Sequence, residues 1–120
     1  MEQMTTQQII KHVVGEDKFE KMYIQFLHRL HMTEKYRMIR DNNSLFLIKI
    51  MDKGVAHVEL YSADSPKDML RSMMNFGQFM KKANYKKLYF DSISQTLFKY
   101  LSGHGVNIKN LGNNKYMVEE

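Results

Sequence analysis

The sequence predicts the α+β class (mixed α/β), with a central, mostly antiparallel sheet and helices on its faces. Three observations lead there. Apolar residues recur at three- and four-residue steps through 19–30 and again through 69–83, which is the period of an amphipathic helix. β-rich runs stand at 44–61 and 106–118, broken by turns carrying Asp, Asn and Gly. The length of 120 residues fits one domain, 1–120. A domain of that size buries roughly two-thirds of the surface its unfolded chain exposes.

The elements follow in order. Thr5 and Thr6 cap a short helix whose apolar side is Ile9, Ile10, Val13 and Val14, and Gly15 ends it. Glu16-Asp17 opens a longer helix with the stripe Phe19, Met22, Tyr23, Phe26, Leu27 and Leu30, fading near Thr33–Lys35. Tyr36–Arg40 is a short strand and Asp41-Asn42-Asn43 a turn. Ser44–Met51 is a strand, Asp52-Lys53-Gly54 a hairpin turn, and Val55–Tyr61 the return strand. In that return strand, Ala56, Val58 and Leu60 face one side and His57, Glu59 and Tyr61 the other. Ser65-Pro66-Lys67-Asp68 is a helix start. Ser65 caps, Pro66 suits the first turn, and Asp68 is placed to complete a capping box. Its core side is expected to be Met69, Leu70, Met73, Phe76, Gly77, Met80 and Ala83, with Asn84 ending the helix. Tyr85–Ile93 reads as a strand with Leu88 and Phe90 inward, and Ser94–Ser102 as a short helix closed by Gly103-His104-Gly105. Val106–Leu111 and Lys115–Val118 form a last hairpin around Gly112-Asn113-Asn114. The expected order is α-α-β-β-β-α-β-α-β-β.

Composition narrows the chemistry. With 43% hydrophobic and 12% aromatic residues the chain is not of disordered type. It has no cysteine, which excludes a disulfide scaffold, a thiolate metal site and a cysteine nucleophile. No apolar stretch approaches the ~20 residues of a membrane span, and Met1–Gln8 is too polar for a secretion signal. A soluble protein of the cytoplasm (a host cytoplasm for a viral chain) or of a virion is expected. The net charge of +5 is unevenly placed: residues 1–64 hold nine basic and nine acidic side chains, whereas 65–115 hold nine basic against two acidic. A solvated basic face is the simple account, and an anionic partner is the sharper one.

The element order, with the segment Ser94-Gln95-Thr96-Leu97-Phe98-Lys99-Tyr100-Leu101-Ser102-Gly103-His104-Gly105-Val106, resembles the GNAT N-acetyltransferase superfamily. The resemblance covers the chain from about Arg37 onward. It implies a sheet fold that binds acetyl-CoA, with the pyrophosphate held by the N–H groups of a glycine-rich loop opening the helix after the central strand. The departures are informative. The corresponding stretch Ser62-Ala63-Asp64-Ser65-Pro66-Lys67 has no glycine, its proline lacks an N–H, and Asp64 and Asp68 bring negative charge. Ser65, Lys67 and Arg71 are what remain as cofactor-binding candidates. If the chain is an enzyme, the resemblance makes Glu59 the candidate base. Leu101 stands where many members carry the tyrosine that acts as general acid, and Tyr100, the catalytic candidate beside it, is turned from that position by ~100°.

A leucine there, a lost phosphate loop and small size are similar to the short acyltransferase-like internal virion or assembly proteins of short-tailed bacteriophages. The first expectation is therefore a fold without acetyl-CoA chemistry and without a cofactor, acting through protein contacts with virion proteins or itself. An acetyl-CoA-dependent N-acyltransferase with a diverged cofactor loop is the alternative. A third reading is a nucleic-acid-binding accessory factor, in which Lys81, Lys82, Lys86 and Lys87 neutralise phosphates and Tyr85 stacks on a base. His28 and His31, three apart on the long helix, lack neighbouring Asp, Glu or Cys, so no metal site is expected. No nucleophile elbow, Walker-type loop or zinc-finger spacing occurs.

Overall fold

The computed structural model describes residues 3–32, 34–91 and 95–119. In it, Thr5 caps α1 (Thr6–Val14) through a complete capping box with Gln8, and Gly15, at φ +86°, separates that helix from α2 (Glu16–Met32). The left-handed turn costs glycine little, so two helices follow with one residue between them. Then come β1 (Tyr36–Asp41), β2 (Ser44–Asp52), β3 (Val55–Ser62), α3 (Pro66–Lys82), β4 (Lys87–Asp91), α4 (Gln95–Gly103), β5 (Ile108–Gly112) and β6 (Lys115–Glu119).

The six strands form one sheet in the order β1-β2-β3-β4-β6-β5. Four of the five neighbouring pairs are antiparallel, and β3–β4 is parallel, because α3 carries the chain back over the sheet between them. The turns are built from residues that tolerate φ > 0. Asn113 (+53°) and Asn114 (+60°) make the β5–β6 hairpin, whose handedness matches the strand twist. Gly54 (+73°) turns β2 into β3, and a Cβ there would stand 3.3 Å from the Asn84 carbonyl.

Both faces of β2 are covered, which is why Ser44–Ile48 is buried without a break. On one face, Phe46 and Ile48 join Ala56, Val58, Met73, Phe76, Met80, Leu88, Phe90, Leu97 and Leu101 under α3 and α4. Phe76 is the centre of that core: it stacks on Phe46 at 4.1 Å and meets Phe90 edge-on at 6.5 Å. On the other face, Leu45 and Leu47 pack with Ile9, Ile10 and Phe26 under α1 and α2, and Tyr36 and Tyr61 flank them.

The expected elements stand with small shifts. The strand expected from Tyr85 begins at Lys87, because the Lys86 and Lys87 N–H groups donate to the Gly54 carbonyl (2.8 and 3.1 Å) and Tyr85 closes the end of α3. Its expected end at Ile93, the start of α4 at Ser94 and the fading of α2 at Thr33 lie outside the described residues. On α3, Gly77 and Ala83 are exposed rather than part of the core stripe. Ser72 takes a buried place instead. Its hydroxyl donates to the Asp41 carboxylate and carbonyl (3.1 and 3.3 Å), which satisfies a polar group the periodicity had no reason to place inside.

Candidate functional site

Among the described residues, one strand edge inside the sheet is only partly paired. β3 pairs with β4 over Val55–Val58 and Lys87–Phe90 only, yet β3 runs on to Ser62. Beyond Val58 no described strand lies against that edge of β3, and this unpaired edge, running to Ser62 just ahead of α3, is referred to below as the wedge.

Side chains at the wedge are held by polar contacts. Glu59 points to the α1/α2 side. Arg29 Nη1 reaches both of its oxygens at 3.0 Å, and the Tyr61 hydroxyl donates to Oε2 at 2.8 Å. Both members of the ion pair are about one-third exposed, 35% for Arg29 and 31% for Glu59. Burial, and then the adjacent Glu59 carboxylate, push the Tyr61 hydroxyl well above the ordinary tyrosine range, with Arg29 opposing. On the same face, His57 Nε2 lies 3.0 Å from Asp91 Oδ2, spanning β3 and β4 just where they part.

The start of α3 is tied to the β1–β2 turn. The Asp64 carboxylate accepts from the Asn43 N–H (3.1 Å), the Asn42 side-chain amide (2.9 Å) and the Ser44 hydroxyl (2.7 Å). The Ala63 N–H donates to the Asn43 carbonyl and the Asp64 N–H to the Ser62 hydroxyl. Ser65 caps α3 by accepting from the Asp68 N–H, while its own hydroxyl donates to the Asp68 carboxylate. Only half of the expected capping box forms, because Asp68 takes the Ser65 hydroxyl rather than its N–H. Three of the amides that a phosphate-gripping loop would offer are thus spent inside the protein, and Pro66 has none to give. Lys67 and Arg71 are exposed beside them.

An extended diamide such as pantetheine would meet unpaired backbone at the β3 edge beyond Val58. A pyrophosphate beside the start of α3 would meet the exposed Lys67 and Arg71 side chains rather than a cradle of N–H groups.

The structure sets the remaining candidates apart. Tyr100 is exposed (39%) and stacks on His104 at 4.0 Å, while its neighbour Leu101 is buried. Glu59 lies with α2 on one side of the sheet and α4 packs on the other, so the two are not brought together. Lys81, Lys82, Lys86 and Lys87 are exposed around the end of α3, with Lys87 3.5 Å from Glu119, and Tyr85 packs half-buried against the larger core. His28 and His31 are exposed, and among the described residues no cluster of three or more His, Asp or Glu is placed to hold a metal. No described helix is long and apolar enough to cross a membrane. Sequence reasoning missed Arg29 and Asp91 as partners. They stand 30 and 34 residues from Glu59 and His57, and only the alternation along β3 hinted at a shared polar face.

Comparison with protein families finds no match, and comparison with curated proteins finds none either. Comparison with solved structures does. A GNAT-family acetyltransferase from Staphylococcus aureus superposes with a TM-score of 0.60 at 9% identity, over 98% of this chain and 96% of the other. The Campylobacter jejuni N-acetyltransferase PseH, solved with acetyl coenzyme A, gives 0.56 at 13% identity over 96% and 90%. The PaiA N-acetyltransferase of Thermoplasma acidophilum, solved with coenzyme A, gives 0.52 at 14% over 87% and 72%. With the two-sided sheet, the parallel β3–β4 pair and the wedge beyond it, the chain has the acyltransferase-like GNAT fold.

Proposed function

We propose that the protein is an acyl-CoA-dependent N-acyltransferase whose cofactor loop has diverged. The observation that carries this reading is the wedge beyond Val58. Residues 59–62 offer an unpaired strand edge to the pantetheine amides, and Lys67 and Arg71 offer charge to the phosphates. The coenzyme supplies an activated thioester. Glu59 accepts the proton that the acceptor amine loses, through a water, while Arg29 and Tyr61 fix the carboxylate in place. His57, oriented by Asp91, keeps a second ring nitrogen beside the same opening.

A thermal-shift or calorimetric titration with acetyl-CoA tests the reading. Micromolar binding that falls at least fivefold in the Lys67→Ala/Arg71→Ala double variant supports it, and no binding at millimolar ligand overturns it. Where binding is found, Glu59→Gln lowers CoA release across a panel of amines without weakening acetyl-CoA. An unchanged rate removes Glu59 from the base role.

One observation favours a second reading. Ahead of and within the first turn of α3, the Ala63 N–H donates to the Asn43 carbonyl of the β1–β2 turn, the Asp64 N–H to the Ser62 hydroxyl and the Asp68 N–H to the Ser65 hydroxyl. A domain built that way suits a protein that works through protein contacts, as a virion or virion-assembly component would, without acyl transfer. Absent acetyl-CoA binding together with self-association in light scattering would favour it.

A further inference from the structure

We infer that the end of α3 and the β2–β3 turn form a binding surface for single-stranded nucleic acid, with Phe79 as its stacking ring. Sequence alone points to Lys81, Lys82, Lys86 and Lys87 for the phosphates and Tyr85 for a base. The fold redistributes those roles. Lys87 is matched by Glu119 at 3.5 Å, Lys81 makes an interaction of its own, and Tyr85 packs against the larger core. Lys82 and Lys86 remain exposed.

Two residues outside that set join them. The Lys86 N–H donates to the Gly54 carbonyl at 2.8 Å, and a Cβ on Gly54 would stand 3.3 Å from the Asn84 carbonyl. The β2–β3 turn is thereby docked on the end of α3, and it carries the exposed Lys53 next to that bond. Among the described residues no carboxylate pairs with Lys53, Lys82 or Lys86. Asp52, the acid of the turn, accepts the Lys53 N–H at 2.7 Å. Three cations against one anion complement a phosphate backbone. Phe79 supplies the second part. Its ring is 54% exposed, the most open Phe or Tyr ring among the described residues. It stands three residues before Lys82, on a neighbouring part of the helix surface. An unpaired base of any sequence stacks on such a ring while lysines around it take the phosphates. A duplex keeps its bases stacked on each other, so it can use the lysines but not the ring. This surface is not the wedge. Lys82 lies seventeen residues along the chain from Ser65, about 26 Å at 1.5 Å per residue of helix.

Fluorescence anisotropy on the full chain tests the assignment, with a labelled oligothymidylate, a duplex of equal length and polyglutamate as probes. The oligothymidylate should bind at micromolar concentration in low salt. Its log K should fall against log salt with a slope of about −2, for three phosphates at about 0.7 each. Phe79→Ala should weaken it about tenfold, the worth of one stacked base, with the slope unchanged. Phe79→Trp should bind at least as tightly as the parent. The Lys53→Ala/Lys82→Ala/Lys86→Ala variant should flatten the slope, whereas Lys18→Ala/Lys21→Ala, exposed on α2 across the sheet, should leave it unchanged. All these side chains except Asp52 project into solvent or stand at the surface, so the variants keep the core intact. No binding in low salt, undiminished binding in Phe79→Ala, or equal affinity for the duplex or polyglutamate overturns the inference. Failure of acetyl-CoA to bind bears on the proposed transferase and leaves this surface standing.

Discussion

The two faces of the sheet are built differently. Under α3 and α4, one apolar core runs from Phe46 on β2 to Ile108 on β5 and Tyr116 on β6. Under α1 and α2, the apolar cluster draws its strand residues from β1–β3 alone. Across β4 and β6, that second face is laid out in charge pairs, His57–Asp91 and Lys87–Glu119, with Lys109 beside the latter. The first face holds the fold. The second carries polar groups positioned by one another without full burial.

Substitutions rank the two faces. Phe76→Ala removes the ring that joins Phe46 to Phe90 and should cost about 3–5 kcal/mol in chemical denaturation. Leu47→Ala, in the smaller cluster, should cost about 2–3 kcal/mol. A larger loss at Leu47 than at Phe76 would reverse the ranking. Asp64→Ala frees the start of α3 from the β1–β2 turn and should cost about 2 kcal/mol, since a carboxylate accepting several bonds leaves their donors unmet.

Smaller effects sharpen the picture. Gly77→Ala sits inside α3 with nothing near the added Cβ. It should stabilise by about 0.8–1 kcal/mol and raise the melting temperature by a few degrees. The last test concerns pH. The folded protein holds Tyr61 neutral past the ordinary tyrosine value of 10.0. Above that pH the unfolded chain loses a proton that the native state keeps, so native stability should fall as pH rises beyond it. Melting curves at pH 9 to 11 should show this decline in the parent protein and a shallower one in Tyr61→Phe.

The fold was legible because its elements carry strong local signals. The Ser65-Pro66 start of α3, the Asn113-Asn114 turn and the alternation through Val55–Tyr61 each act within a few residues. The site was legible only in fragments. Glu59, Lys67 and Arg71 are visible as residue types on predicted elements, but Arg29 and Asp91 reach their partners through the tertiary fold, which no local period encodes. Gly77 shows the same limit in the other direction. Its helical spacing put it on the core stripe, while the way α3 sits on the sheet leaves it exposed.

The short β3–β4 pairing has a consequence for motion. Among the described residues, four residue pairs make the strand contact between the β1–β2–β3 meander and the β4–β6–β5 sheet half. Each half is otherwise held by its own antiparallel ladders, so this seam is the natural boundary between two cooperative units in amide exchange. Phe76 bridges it from α3 by touching Phe46 on one half and Phe90 on the other. A molecule lodged in the wedge would act as a second bridge, slowing exchange across both halves while leaving the core untouched.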